Sequence, residues 1–330
     1  MAGLKGNVAW WAIEPNGSSG AKGVPATSST RLIPFSGGNV SVTRETANFA
    51  ETDSSRDQGT SYTVRSGVEG NPEAYVRDSY IHILLAGALG SDAVTGATPN
   101  KTHTITPANS LPYHTMWRMQ SDVLWEKFDD CMISELSIKG DAGAPLTATA
   151  SVMGLVPTRL TTNPVTSWAA LTPAVTAAIT SDSPYTYNNA TVSLGGAAVS
   201  TVKSFELQIN NNVKVQQTDS VTPYDVVPGQ REVTLSFDLL FENIDEYNLF
   251  NYGSTSGTAI SSEITTRAAE FTFAGASVNN SIKFNIPRLA YEAFPVEPNA
   301  GGDPITVSVR AQAQRGSSSI ITAEVKNQVA

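Results

Sequence analysis

Between Val202 and Gly253 the spacing of hydrophobic positions changes twice. Phe205, Leu207 and Ile209 alternate with Ser204, Glu206 and Gln208. Successive side chains leave a strand on opposite faces, so this period of two predicts a half-buried strand. Asn210 to Gln230 is polar and holds Pro223, Pro228 and Gly229, which predicts a long loop. Val233, Leu235, Phe237 and Leu239 then alternate with Glu232, Thr234, Ser236 and Asp238, a second strand. Beyond it, Asn243 is placed to cap a short helix. Asp245 and Glu246 suit the positive end of its dipole, and Gly253 suits its end.

The same order occurs earlier, from Val40 to Gly90. An alternating opening is followed by a polar loop from Glu51 to Thr60 and a second extended run from Tyr62 to Val76. Asp78 or Ser79 is placed to cap an apolar helix over Tyr80 to Leu89, stopped by Gly90. Each copy is followed by a hairpin pattern. In the first it is CMISELSIKG, a DAGAP turn and LTATASVMGLV. In the second it is SIKFNIPRLAY, a Pro/Gly-rich turn and ITVSVRAQAQ. The repeat of element order predicts a tandem duplication. The expected fold is mainly β, with two tandem β-sandwich domains, each flanked by a short α-helix.

The remaining stretches fill in this frame. Val8 to Ile13 predicts a short strand whose adjacent Trp10 and Trp11 face opposite ways, one toward a core and the other toward the same domain or a partner. Asn16 to Ser29 reads as a Gly/Ser/Pro-rich arm, and Ser91 to Asn109 as a turn-rich excursion. Pro157 to Pro184 reads as a linker with Trp168 as its one large anchor. The expected domains are therefore 1–156, with the arm, and 185–330, joined by 157–184. Ile320 to Val325 suits one further strand.

Composition narrows the function more than it names it. Of 330 residues 40% are hydrophobic and 15% charged, so the surface must be built largely from Ser, Thr, Asn and Gly. The net charge of −9 lacks the basic footprint that gripping nucleic acid requires. One cysteine, Cys131, rules out an internal disulfide framework and is expected to be buried. The N-terminus has no signal-peptide pattern and no apolar run reaches the ~20 residues of a membrane span, so a soluble, cytoplasmically made product is expected. His82 falls in the apolar helix, and His103 and His114 lie without ligand neighbours at metal spacing. Asp129-Asp130 and Glu242 to Glu246 abut element ends, where a solvated or dipole-favoured acid is expected. Neither cofactor nor catalytic constellation is expected.

The polar faces of the strands carry the remaining signal. Thr147, Thr149 and Ser151 form one such face, and Thr306, Ser308, Arg310, Gln312 and Gln314 another. Long regular strands of this kind recruit other chains at a free edge, and edge-to-edge pairing can close a ring.

On the VKSFELQINNN strand, the DVVPGQREVTLSFDLLFEN run into the helix, the N-terminal VAWWAIEPNG…RLIPFSGGNVSV pattern and the CMISELSIKGDAGAPLTATASVMG hairpin, the chain resembles the major tail protein, or tail tube protein, of long-tailed bacteriophages with non-contractile tails. The resemblance implies tail-tube-type sandwich domains in a structural virion protein, not an enzyme. It implies self-association into stacked rings around a channel, trimeric with pseudo-sixfold symmetry where the domain is duplicated. The implied partners are a tape-measure protein, tail terminator and distal tail proteins. DNA would pass without specific binding, and the implied location is the virion tail after assembly in the host cytoplasm. Loops between the first two strands reach the neighbouring ring in that family; here these are Ala50 to Ser61 and Asn210 to Gln230. Glu51, Asp53, Arg56 and Asp57 are the inter-ring candidates. Glu206 and Asp238 are candidates for the channel wall, the alternative being an outer surface that they make soluble. Rival readings are a contractile-tail or secretion-type tube and a carbohydrate-binding or adhesin sandwich. The latter needs an aromatic platform, and the tryptophans do not cluster on one strand.

Overall fold

In the computed structural model, residues 9–17, 19–27, 31–49, 57, 59–97, 100–121, 123–162, 164, 183–276, 279–297, 302–316 and 319–327 are described. The fold is mainly β and almost wholly antiparallel. The first half contributes β1 (Ala9–Pro15), β2 (Ile33–Pro34), β3 (Val40–Asn48), β4 (Ser61–Gly70), β5 (Glu73–Tyr75), α1 (Ile81–Leu89), β6 (Gly90–Ala97), β7 (Asn100–Pro107), β8 (His114–Gln120), β9 (Leu124–Asp141), β10 (Thr147–Gly154) and β11 (Val156–Arg159). The second contributes β12 (Ala190–Leu194), β13 (Ala197–Ala198), β14 (Val202–Asn210), β15 (Lys214–Gln216), β16 (Asp225–Val227), β17 (Glu232–Leu240), α2 (Asp245–Tyr252), β18 (Thr266–Ala274), β19 (Ser281–Ala293), β20 (Thr306–Ala313) and β21 (Thr322–Asn327).

The pairing pattern repeats. β1 pairs with β2 and β8, β8 with β9, β9 with β10 and β11, and β10 with β4, which pairs with β3. In the second half β12 pairs with β13 and β18, β18 with β19, β19 with β20 and β21, and β20 with β17, which pairs with β14. Among the described residues the β6–β7 hairpin, β5 and the β15–β16 hairpin have no counterparts.

The halves join edge to edge. β14 lies antiparallel on β9, from Ser204 opposite Asp141 to Asn210 opposite Glu135. The result is one row of eight strands in the order β3, β4, β10, β9, β14, β17, β20, β19. A second seam lies on the other side of α1, where β21 inserts between β19 and β7. The apolar interior is continuous through both seams, from Trp11 and Ile13 to Ala323 and Val325.

β9 changes partners along its 18 residues. Its first part pairs with β8 and β11 and its last part with β10 and β14. The register shift on the β8 side lies at this crossing, where Asp130 adopts φ 52. Aspartate tolerates that left-handed conformation better than most residues.

The helices show why position matters more than propensity. α1 buries every residue except Ala86, held between β9, β7, β6, β1, β14 and β21. Burying Ile81, Leu84, Leu85 and Leu89 supplies about 1.5–3 kcal/mol each. Its cap position falls on Tyr80 with no side-chain cap, not on Asp78 or Ser79. Gly90 closes it in the left-handed conformation, its N–H donating to Ala86 O. The N-cap of α2 lies one residue after the expected one: Asn243 Oδ1 accepts from Asp245 N at 3.1 Å, but the N-cap is Ile244. Gly253 closes it, donating to Leu249 O.

Three other sequence expectations change. The turn-rich excursion 91–109 contains the β6–β7 hairpin, because Val94, Thr95, Thr102, Thr104 and Ile105 are β-branched and β21 supplies the missing edge. The loop 210–230 contains the β15–β16 hairpin. The strand at the start of the expected linker runs through Arg159, paired with β9. Trp168 lies outside the described residues. Of the tryptophan pair, Trp11 is buried and Trp10 is half-buried against the cluster of Ala12, Leu32, Trp117 and Met119.

Candidate functional site

On β10, the last part of β9, β14, β17 and β20 the apolar residues turn to the interior and the polar residues to one open face. On β9, β14, β17 and β20 the buried set includes Leu136, Ile138, Leu207, Ile209, Val233, Leu235, Val309 and Ala311. The registers align the polar set into cross-strand rungs. One runs Thr147, Lys139, Glu206, Ser236, Arg310, and the next Thr149, Ser137, Gln208, Thr234, Gln312. This face is where the sequence placed Glu206 and Asp238, and β14 and β17 are neighbours as expected.

The face is held by short hydrogen bonds and one seam-crossing ion pair. Glu206 accepts from Ser137 Oγ at 2.9 Å and meets Lys139 Nζ at 3.1 Å, both across the β9–β14 seam. Asp238 accepts from Ser204 Oγ at 2.7 Å and Ser308 Oγ at 2.6 Å. Arg310 meets Glu292 at 3.1 Å and Arg65 meets Glu45 at 2.5 Å. Glu69, Glu135, Glu232 and Asp238 have no basic partner among the described residues. The face is thus small, polar and acidic in balance. Tyr75 is its one aromatic among the residues aligned here, paired opposite Thr147.

The inter-ring candidates divide. Glu51, Asp53 and Arg56 lie outside the described residues, and Asp57 is exposed. What the structure adds is the stalk beneath them. β3 and β4 continue beyond the sheet as a two-stranded ribbon, for β10 pairs only with Val68 to Gly70 of β4. At its end Phe49 and Tyr62 stack at 4.7 Å, 57% and 45% exposed. Sequence reading missed this pair because the two residues are 13 positions apart and only the hairpin register brings them together.

The second loop is not free. Its β15–β16 hairpin lies on the first half: Val221 O accepts from Ser66 N at 2.8 Å, and Tyr113 Oη donates to Asp225 at 2.7 Å. Lys22 Nζ meets the Asp225 carboxylate at 3.1 Å and Tyr224 O at 2.7 Å. Val213 and Val226 join Leu111, Met132 and Leu155 in a small apolar cluster. At the loop's root Asn211 donates to Ala88 O at 2.9 Å, and Arg231 donates to Leu89 O at 3.1 Å and Ala108 O at 2.8 Å. Second-half side chains therefore satisfy the end carbonyls of α1, where a cation also suits the dipole.

The other candidate chemistry is structural. Asp130 accepts from Asn16 Nδ2 at 2.7 Å and Gly23 N at 2.9 Å, and Asp129 pairs with Lys127 at 2.9 Å. Cys131 is buried, and burial raises its thiol pKa. The rings of His82 and His103 lie tilted against each other between α1 and β7, centroids 4.3 Å apart, and His103 bonds Asp92 at 2.7 Å. Among the described residues no group of three or more His, Cys, Asp or Glu is placed to hold a metal ion. No helix among them is long and apolar enough to cross a membrane.

A continuous antiparallel sheet with one polar face, charged rungs and a projecting ribbon defines a structural protein. The chain belongs to the phage tail tube protein family, whose model matches residues 14–313. It is a structural, non-enzymatic protein of the virion tail that assembles with itself into a tube. No curated protein matches the chain significantly.

Proposed function

We propose that the chain is two tandem tube domains, 1–156 and 185–330 about a 157–184 linker, and that three copies close into a ring of pseudo-sixfold symmetry. Rings stack into a tube that first surrounds a tape-measure protein and then conducts DNA, bounded by tail terminator and distal tail proteins. The observation that carries the reading is the β9–β14 seam. β9 of the first repeat already pairs with β14 of the second, the contact a ring of repeats needs at every junction. The row ends in edges suited to one more such contact. Among the described residues β3 pairs on one side only, and Thr306 to Val309 of β20 pair only with β17. An unpaired edge of this length is a template for another strand.

The polar face lines the channel in this reading. Its acids repel phosphates, and its small Thr, Ser and Gln neighbours offer little on which bases can stack, so DNA slides without being held. The segment that carries Glu51, Asp53, Arg56 and Asp57 reaches the next ring in this reading.

Negative-stain images of the purified protein test this. Rings or tubes whose end-on averages show threefold symmetry with six similar lobes are the expected result. A protein that stays monomeric at high concentration would overturn it.

A further inference from the structure

We propose that α2 and the segment 253–265 after it form a docking face for the first half of a second copy of this chain, received at that copy's β3 and β11. The inference rests on the tube reading and adds which surfaces recognise the neighbour.

α1 and α2 follow corresponding strands, β4 and β17, yet their surroundings differ. α1 is enclosed because the second half lays β14 and β21 against it and the β6–β7 hairpin closes over it. α2 buries only Asn248 and Leu249. Tyr247 and Phe250 stay half-buried around Phe294, at ring-centroid distances of 6.0 and 6.5 Å. Beside them Ile244 is exposed, and Ile260 and Ile264 are 86% and 73% exposed. Aromatic and isoleucine surface in one place, rimmed by the exposed acids Glu242, Asp245 and Glu263, is the pattern of a contact site rather than of a solvated helix.

The internal repeat says what belongs there. The strands that cover α1 from the second half are β14 and β21, and their first-half counterparts are β3 and β11. Those two have the matching vacancies. β14 and β21 pair on both edges, whereas among the described residues β3 pairs only with β4 and β11 only with β9. Each presents an exposed valine: Val42 on the apolar side of β3, opposite buried Val68, and Val156 on β11. Each also carries an exposed arginine, Arg44 and Arg159, to meet the acidic rim of α2. The same surfaces are filled within the chain and left open at its end, so the next copy is the occupant that fits.

The test pairs a variant with a cross-link. Ile260→Asp with Ile264→Asp removes two side chains that the fold itself does not bury, so the circular dichroism and the melting temperature should stay at wild-type values. Association, followed by sedimentation, should weaken by about a hundredfold or more. A photo-reactive residue at position 264, in a mixture of isotopically light and heavy chains, should join 264 to residues 40–48 or 156–159 of a different chain. Wild-type association by the double variant overturns the proposal and leaves the tube reading standing. So does a cross-link that stays within one chain, or one that reaches α2 or residues 214–227 of another copy. If the wild-type protein itself never associates, the tube reading falls and this proposal falls with it.

Discussion

At the scale of single residues, burial decides more than charge does. His82 sits inside the clamp of α1, β7 and β21, and desolvation, with Arg31 and His103 adding to it, pushes its pKa down to about 2. His114 is buried where β8 meets β9, and desolvation lowers its pKa to about 4. Both are neutral in the fold, while in the unfolded chain they take up protons near the ordinary 6.5. Stability is therefore full above pH 6.5 and falls as the pH drops below it, over the window to about 4 for His114 and to about 2 for His82. Each contributes about 1.4 kcal/mol per pH unit there. Urea unfolding at pH 7.5 and pH 5 should show this loss, and His82→Gln should reduce its slope. A second residue-scale prediction concerns Arg231, whose guanidinium leaves water to bond the end of α1. Arg231→Ala should cost about 1–3 kcal/mol in the same assay, since the Ala108 carbonyl loses its side-chain donor and Leu89 O keeps only the N–H of Ala108. The sequence marked His82 as a packed helix residue, but the carbonyls that Arg231 bonds, Leu89 and Ala108, are more than 120 positions away and left no local trace.

Among elements, the alternating strands were legible and their partners were not. The polar-apolar period placed β14, β17, β10 and β20 because each has one buried and one open face. β7 escaped because Gly and Pro flank it and its stability comes from β21, far along the chain. That dependence is testable. Ile321, Ala323, Val325 and Asn327 are all buried. Deleting residues 320–330 should expose α1, cost about 3–6 kcal/mol from the aliphatic side chains alone, and make the first half protease-sensitive even though its own sequence is intact. Replacing residues 50–60 with a short Gly/Ser turn should act differently. The fold should persist, since β10 pairs with β4 only at Val68 to Gly70, away from the replaced segment, but rings should no longer stack into tubes. Normal tube formation by that variant, seen by electron microscopy, would count against an inter-ring role for the ribbon.

For the whole molecule, the polar face is the feature whose function depends on assembly. Glu206→Lys with Asp238→Lys would place two new cations beside Lys139 and Arg310, in each copy around a ring. If this face lines the channel, such particles should assemble but eject DNA slowly or incompletely, most of all at low salt where screening is weakest. Ejection at the normal rate by full-length tails would assign the face to the outside instead.

The sequence by itself determined the strand faces, helices α1 and α2 and the repeat of element order, because these follow from local period and residue type. Tertiary structure alone decided that the repeats join through β9 and β14 and share one interior, that the second loop folds back onto the first half, and that α1 is sealed while α2 is left open. Those outcomes depend on which edges meet. Two antiparallel strands of similar alternation are equally good partners from the standpoint of either sequence, and only the closed packing of the whole chain selects between them.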